Sequence, residues 1–173
     1  NKLNIKTKNG KYSLSTLPSA DFPIFDIDSG DSPIVIPAKD LRELIMNTSF
    51  AMGNQDWRHY LNGLYLLINS GEITAVATDA HRLAVANLST QSDNSCSGII
   101  PRKSINEMAK FLSDEDGDAR LKINDASLEL EVGNLIFKSK LIDGNFPDYQ
   151  QVIPSGESSV LEINVKDFSE TLS

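Results

Sequence analysis

With one cysteine, Cys96, the chain cannot form an internal disulfide, which fits a reducing compartment. Long apolar runs are missing as well. The longest, Leu64-Tyr-Leu-Leu-Ile68, falls far short of the ~20 residues a membrane-spanning helix needs. Nothing at Asn1-Lys-Leu-Asn-Ile5 resembles a signal peptide, and without an initiating methionine the sequence reads as a piece of a longer chain. Cations are outnumbered. Sixteen Lys and Arg against 24 Asp and Glu give a formal charge of −8, so the bulk field repels nucleic acid and phosphorylated surfaces. Any contact with DNA must therefore come from a local patch. No Gly-x-x-x-x-Gly-Lys, Gly-x-Gly-x-x-Gly or Gly-x-Ser-x-Gly occurs, so the phosphate-cradling and nucleophile-elbow motifs are absent.

What the chain does contain is a repeat. Ile36-Pro-Ala-Lys-Asp-Leu-Arg-Glu-Leu-Ile45 reads as a short strand, a proline and an amphipathic helix. It returns 64 residues on as Ile100-Pro-Arg-Lys-Ser-Ile-Asn-Glu-Met-Ala109, and more loosely 63 residues after that as Ile163-Asn-Val-Lys-Asp-Phe-Ser-Glu170. Lys39, Lys103 and Lys166 hold the same place in each copy, followed by Leu41, Ile105 and Phe168. Such a period marks tandem supersecondary units.

The hairpin signal Lys8-Asn-Gly10 predicts two strands within residues 1–17. The acidic stretch Asp26–Asp31 reads as a linker. Leu41, Leu44, Ile45, Thr48 and Met52 share one helical stripe, entered at Pro37 and ended by Gly53-Asn-Gln-Asp56. Three strands follow, Tyr60–Asn69, Ile73–Thr78 and Arg82–Leu88, and then the polar loop Gln91–Gly98. The second unit repeats the order: strand Ile99-Ile100, a helix striped by Ile105, Met108, Ala109 and Leu112, and the charged turn Asp114–Asp118. Strands at Arg120–Asn124, Ser127–Val132 and Leu135–Leu141 complete it. Leu128, Leu130 and Val132 alternate with Glu129 and Glu131, so this sheet has one wet and one covered face. Val160–Ile163 opens a third copy.

Each unit is thus strand–helix–strand–strand–strand, and the class is α+β with antiparallel pairing. Neither helix can bury its stripe alone, so the two are expected side by side on one face of a sheet. Asp21-Phe-Pro23 and Asn145-Phe-Pro147 lie 124 residues apart, which points to a larger period of two units. The expected partition is a tail of one domain plus linker (1–31), one complete domain (32–157) and the start of another (158–173).

Two clusters could carry chemistry. Thr78-Asp-Ala-His-Arg-Leu83 offers Asp79 and His81, but two ligands from one turn are too few for a metal. Its plain reading is a tight turn in which Asp79 bonds its own backbone and Arg82 is paired. Gln55-Asp-Trp-Arg-His-Tyr60 mixes amide, basic and aromatic groups, as phosphate and base contacts require. It equally suits an ordinary loop whose Trp57 caps the core. Phe146-Pro-Asp-Tyr149 reads as a rigid exit turn with Phe146 as a core plug.

Taken with Tyr60-Leu-Asn-Gly63, Ala77-Thr-Asp-Ala-His-Arg-Leu-Ala-Val85, Ile100-Pro-Arg-Lys103 and Ser139–Tyr149, these motifs make the chain resemble the bacterial sliding clamps, the beta subunits of DNA polymerase III. Ser13-Leu-Ser-Thr-Leu-Pro18 is similar to the end of that family's first domain. The resemblance implies the DNA-clamp fold and a cytoplasmic, nucleoid-associated processivity factor without catalytic residues, metal or cofactor. It implies a homodimer ring around duplex DNA, with helices lining the hole. The polymerase and clamp-loader subunits would bind through short peptide motifs. A piece cut from such a ring is expected to be monomeric.

Carried over residue by residue, the peptide-binding cleft comprises Leu61, Thr78, Ala80, His81, Arg82, Leu83, Pro147, Gln151 and Val152. Ala80 stands where the family usually has glycine, and Gln151 where arginine is frequent. The DNA-facing positions are Gln55, Arg58, His59, Tyr60, Arg102 and Lys103, with His59 where the family often has tyrosine. Two rivals stand beside this reading: an enzyme built on Asp79 and His81, and a repeat scaffold binding another protein along a sheet edge.

Overall fold

Two prolines end two short strands and start two helices. In the computed structural model, which describes residues 1–22, 32–113, 116–154 and 161–172, strand β3 (Ile34–Pro37) runs into helix α1 (Ala38–Ser49). Strand β7 (Cys96–Pro101) likewise runs into α2 (Arg102–Phe111). Pro37 and Pro101 are both extended, with φ of −54° and −56°, and each precedes a helix where a missing N–H costs nothing. The residue after each proline then donates across to the other unit: Ala38 N to Gly117 O at 2.9 Å and Arg102 N to Asn62 O at 3.0 Å.

These reciprocal bonds mark an exchange of strands. The first unit continues with β4 (Gly63–Asn69), β5 (Glu72–Thr78) and β6 (Leu83–Ser89). The second continues with β8 (Asp118–Ile123), β9 (Ser127–Val132) and β10 (Leu135–Lys140). Strand orders are β10-β9-β8-β3 and β6-β5-β4-β7. The leading strand of each unit therefore pairs, antiparallel, with the three-stranded meander of the other. Pro37 faces Asp118 at the start of β8, and Pro101 faces Gly63 at the start of β4. A pseudo-twofold relation follows, with Leu41 and Ile105 as counterparts, both essentially fully buried. The single expected sheet is thus two four-stranded sheets, tied together by a bridge between Ile99 and Ile142.

The helices pack against one another, α1 also on β5 and β6, α2 on β4 and β7. Leu41, Leu44 and Ile45 meet Ile105, Met108 and the inward residues of both sheets in one core. Burying each such Leu or Ile contributes about 1.5–3 kcal/mol. The halves differ where β6 presents Ala84 and Ala86, the register counterparts of Leu135 and Phe137 on β10. Small side chains let α1 sit directly on β6, whereas Phe111 of α2 meets Phe137 at 5.5 Å between ring centres. On β9 the expected alternation holds. Its outward Glu129 pairs with Lys138 at 3.0 Å and Glu131 with Arg120 at 3.2 Å.

Several elements differ from expectation. Helix α1 stops at Ser49, and short i-to-i+3 bonds (Ala51 N to Thr48 O, Met52 N to Ser49 O) carry the turn on, so Met52 stays buried outside the helix. Residues His59–Leu61 form a 3₁₀ turn, and β4 begins only at Gly63. Strand β7 reaches back to Cys96 through residues expected in a polar loop, because the ladder to β4 needs backbone rather than apolar side chains. A side chain at Gly98 would meet Leu141 Cδ1 at 2.5 Å, so the missing Cβ is what lets Leu141 pack across β7 in its present rotamer.

Phe146 is half-buried and stacks on Tyr65 at 4.9 Å, covering the outer face of β4 rather than plugging the core. Residues 161–163 form no strand, since no partner strand is available to them among the described residues; α3 (Val165–Leu172) follows. The hairpin β1 (Lys2–Thr7) and β2 (Gly10–Ser15) turns at Lys8-Asn9 as expected. The Asp26–Asp31 linker, positions 114–115 of the charged turn, Val160 and the 157/158 boundary lie outside the described residues.

Candidate functional site

The turn between β5 and β6 is built from its own side chains. Thr78 Oγ1 accepts from Ala80 N at 3.0 Å and donates to Arg82 O at 2.7 Å. Asp79 Oδ1 accepts from the backbone N–H groups of His81 and Arg82, each at 3.0 Å, while Arg82 Nε donates to Oδ2 at 3.1 Å. The His81 N–H above all, with the Arg82 groups, holds the Asp79 carboxyl below the usual carboxylate range. Both oxygens of Asp79 are engaged by the turn, so none is turned to orient the His81 ring as a catalytic pair demands. Among the described residues no three His, Cys, Asp or Glu groups gather as a metal site would require. The plain reading of this turn is the observed one.

Ala80 takes φ +72°, the left-handed region where a side chain is disfavoured. Its own N–H is bonded to Thr78 Oγ1, and the next two N–H groups to Asp79 Oδ1, which holds it there. The turn is rigid, but at a cost in backbone strain.

A second loop borders the first. Gly53 N donates to Leu61 O at 2.8 Å, and a side chain at Gly53 would sit 2.9 Å from that oxygen, so the closure requires glycine. Asp56 N donates to Asn62 Oδ1 at 2.9 Å, and Asn62 Nδ2 returns a bond to Asp56 O at 2.8 Å. Arg58 grips the Asp56 carboxylate as a fork, Nε to Oδ1 at 3.0 Å and Nη2 to Oδ2 at 2.8 Å, with its backbone N–H also on Oδ1. These bonds lower the Asp56 pKa to about 2, the Arg58 side chain contributing most. Arg102 donates to Met52 O at 2.8 Å, which ties the loop to α2.

Between the two loops and the segment after β10 lies a cavity of about 380 Å³, within the range of ligand pockets. Leu61, Thr78, Ala80, His81, Arg82, Leu83, Pro147 and Val152 all line it, although Leu61 and Val152 stand far apart in the chain. Gln151 does not; its Nε2 donates to Asp148 Oδ2 at 2.8 Å. Arg58, Tyr60, Phe146, Asp148 and Tyr149 also line the cavity. Of these, Arg58 and Tyr60 were expected to face DNA, and the Phe146-to-Tyr149 aromatic pair was the sequence signal available for the rest. Gln55, His59 and Lys103 are exposed, whereas Arg102 is half-buried under the loop it caps. Trp57 is 83% exposed and caps no core.

Comparison with known proteins adds to this geometry. Residues 35–148 match the family described as DNA polymerase III beta subunit, central domain. The chain is similar to the beta sliding clamp of Pseudomonas aeruginosa, 43% identical over 157 residues that cover 90% of this chain and 43% of that protein. The Escherichia coli K12 beta sliding clamp is 40% identical over 159 residues, 91% of this chain and 43% of the relative. Among solved structures, the P. aeruginosa DNA polymerase III subunit beta superposes with a TM-score of 0.80 at 43% identity, covering 90% of this chain and 43% of that one. Caulobacter crescentus pol III beta gives 0.86 at 33% identity, covering 99% and 48%. The chain therefore spans less than half the length of the curated relatives it matches.

Ala80→Gly is expected to stabilise the chain by about 1 kcal/mol, since it relieves the left-handed strain without removing a contact the turn uses; urea denaturation of both proteins measures it. Asp56 has a folded pKa of about 2 against 3.8 ordinarily. Its contribution to stability is full above the higher value and is lost as pH falls through the lower. Unfolding free energy followed from pH 5 to pH 2 is expected to fall less steeply in Asp56→Asn than in the parent.

Proposed function

The chain belongs to the DNA polymerase III beta subunit family, and we propose that it supplies the middle domain of a sliding clamp, flanked by pieces of its two neighbours at 1–31 and 158–173. In the whole subunit the domain, residues 32–157, stands in a homodimeric ring around duplex DNA. The ring holds the replicative polymerase and clamp-loader subunits by short peptide motifs. The role is tethering rather than catalysis. A charge of −8 suits it: a closed ring is retained by topology, so phosphates need not be gripped tightly. The helices supply a mildly basic local surface through the exposed Lys39, Lys103 and Lys110. Gln55, Arg58, His59, Tyr60, Arg102 and Lys103 are the DNA-side candidates, with Gln55, His59 and Lys103 the most accessible of them.

The observation that carries the reading is the cavity between the Thr78–Leu83 turn and the Pro147–Val152 segment. Leu61, Leu83, Pro147 and Val152 offer an apolar wall for a Leu or Phe side chain, and a rigid turn beside it presents backbone groups. Two departures bear on affinity. Ala80 brings a methyl to the cavity wall, and Gln151 is held by Asp148 instead of reaching a bound peptide.

A polymerase-derived peptide bearing adjacent Leu and Phe is expected to shift the amide resonances of His81 and Leu83 in the whole subunit. Leu83→Ala should weaken that binding by roughly tenfold or more. Peptide binding that leaves both resonances unmoved would contradict the assignment. Turnover of a substrate, abolished by His81→Ala, would favour the enzymatic rival instead.

A further inference from the structure

Trp57 is the chain's sole tryptophan and stands 83% exposed, although indole gains more than most side chains from being covered. Its exposure is not slack in the loop. The bonds of Asp56 to Asn62 and of Arg58 to Asp56 fix the residues on both sides of it. The Arg58 guanidinium carbon lies 5.7 Å from the indole centre, and Arg58 itself lines the cavity. Trp57 is thus an exposed apolar side chain on a braced loop, next to an arginine of the cavity wall.

We propose that Trp57 forms an additional subsite of the peptide cleft, taking an apolar side chain that flanks the peptide's buried anchor. This rests on the cleft reading given above. Charge points to an apolar rather than an acidic flanking residue. The two arginines of the rim are already neutralised, Arg58 by Asp56 at 2.8 Å and Arg82 by Asp79 at 3.1 Å. With only two side-chain torsions, tryptophan gives up little conformational entropy on contact, and it is among the side chains most enriched at binding hot spots. Peptides with an apolar residue beyond the anchor are therefore selected over those without one.

The test uses the 173-residue chain and the emission of its one tryptophan. One probe is a pentapeptide with Leu and Phe as its apolar residues; the other is the same peptide extended by Ala-Phe before it and Phe-Ala after it. The longer peptide is expected to shift Trp57 emission to shorter wavelength and to protect it from acrylamide, while the shorter one does neither. Trp57→Ala should lose roughly tenfold in affinity for the longer peptide and nothing for the shorter, with binding followed at His81 and Leu83 by NMR. Equal binding of the longer peptide to both proteins overturns the subsite and leaves the cleft standing. So does protection of Trp57 by an oligothymidine strand alone. If neither peptide moves His81 or Leu83, in this chain and in the whole subunit alike, the cleft reading fails and the subsite fails with it.

Discussion

The structure depends on the exchange of two short strands. Among the described residues β3 pairs only with β8, and β7 is held along its length by β4, so each helix begins from a strand anchored in the opposite unit. The two N–H bonds after the prolines, Ala38 to Gly117 and Arg102 to Asn62, repeat the same geometry at both crossings. Neither unit could complete a four-stranded sheet by itself. Nor could either helix cover its apolar stripe without the other, since Leu41 and Ile105 share one core.

The cavity is a product of that exchange. Leu61 comes from the turn that leads into β4, Thr78 to Leu83 from the corner of the same sheet, and Pro147 with Val152 from the segment leaving β10. That last segment is brought over by the Ile99–Ile142 bridge and by the stack of Phe146 on Tyr65. Arg102, which begins α2, also fastens the Gly53–Asn62 loop that carries Trp57 and Arg58. Residues from both units thus meet at one place because the strands crossed over. Two of the cavity's walls, the Thr78–Arg82 turn and the Asp56–Asn62 loop, are braced by hydrogen bonds of their own before any ligand arrives.

Much of this was legible in the residues. The stripes of Leu41 and Ile105, the alternation in β9 and the self-bonded turn at Asp79 follow from local rules of spacing and turn chemistry. The cleft positions came from resemblance, and the structure gathers Leu61, Thr78, Ala80, His81, Arg82, Leu83, Pro147 and Val152 at one cavity. The strand exchange was not legible, because pairing partners far apart in sequence leave no periodic trace. Polar Ser97 joins a strand for the same reason: the ladder reads backbone. Gln151 turns from the cavity to satisfy Asp148, and Trp57 stays in water because its neighbours, not its own side chain, are what the loop binds.

Native-state amide hydrogen exchange tests the central claim most directly. If the exchanged strands bind the two units into one cooperative body, slowly exchanging amides in β3, β4, β7 and β8 open with a single common free energy. A first meander, β4 to β6, that opened at distinctly lower free energy while β8 to β10 stayed protected would contradict it.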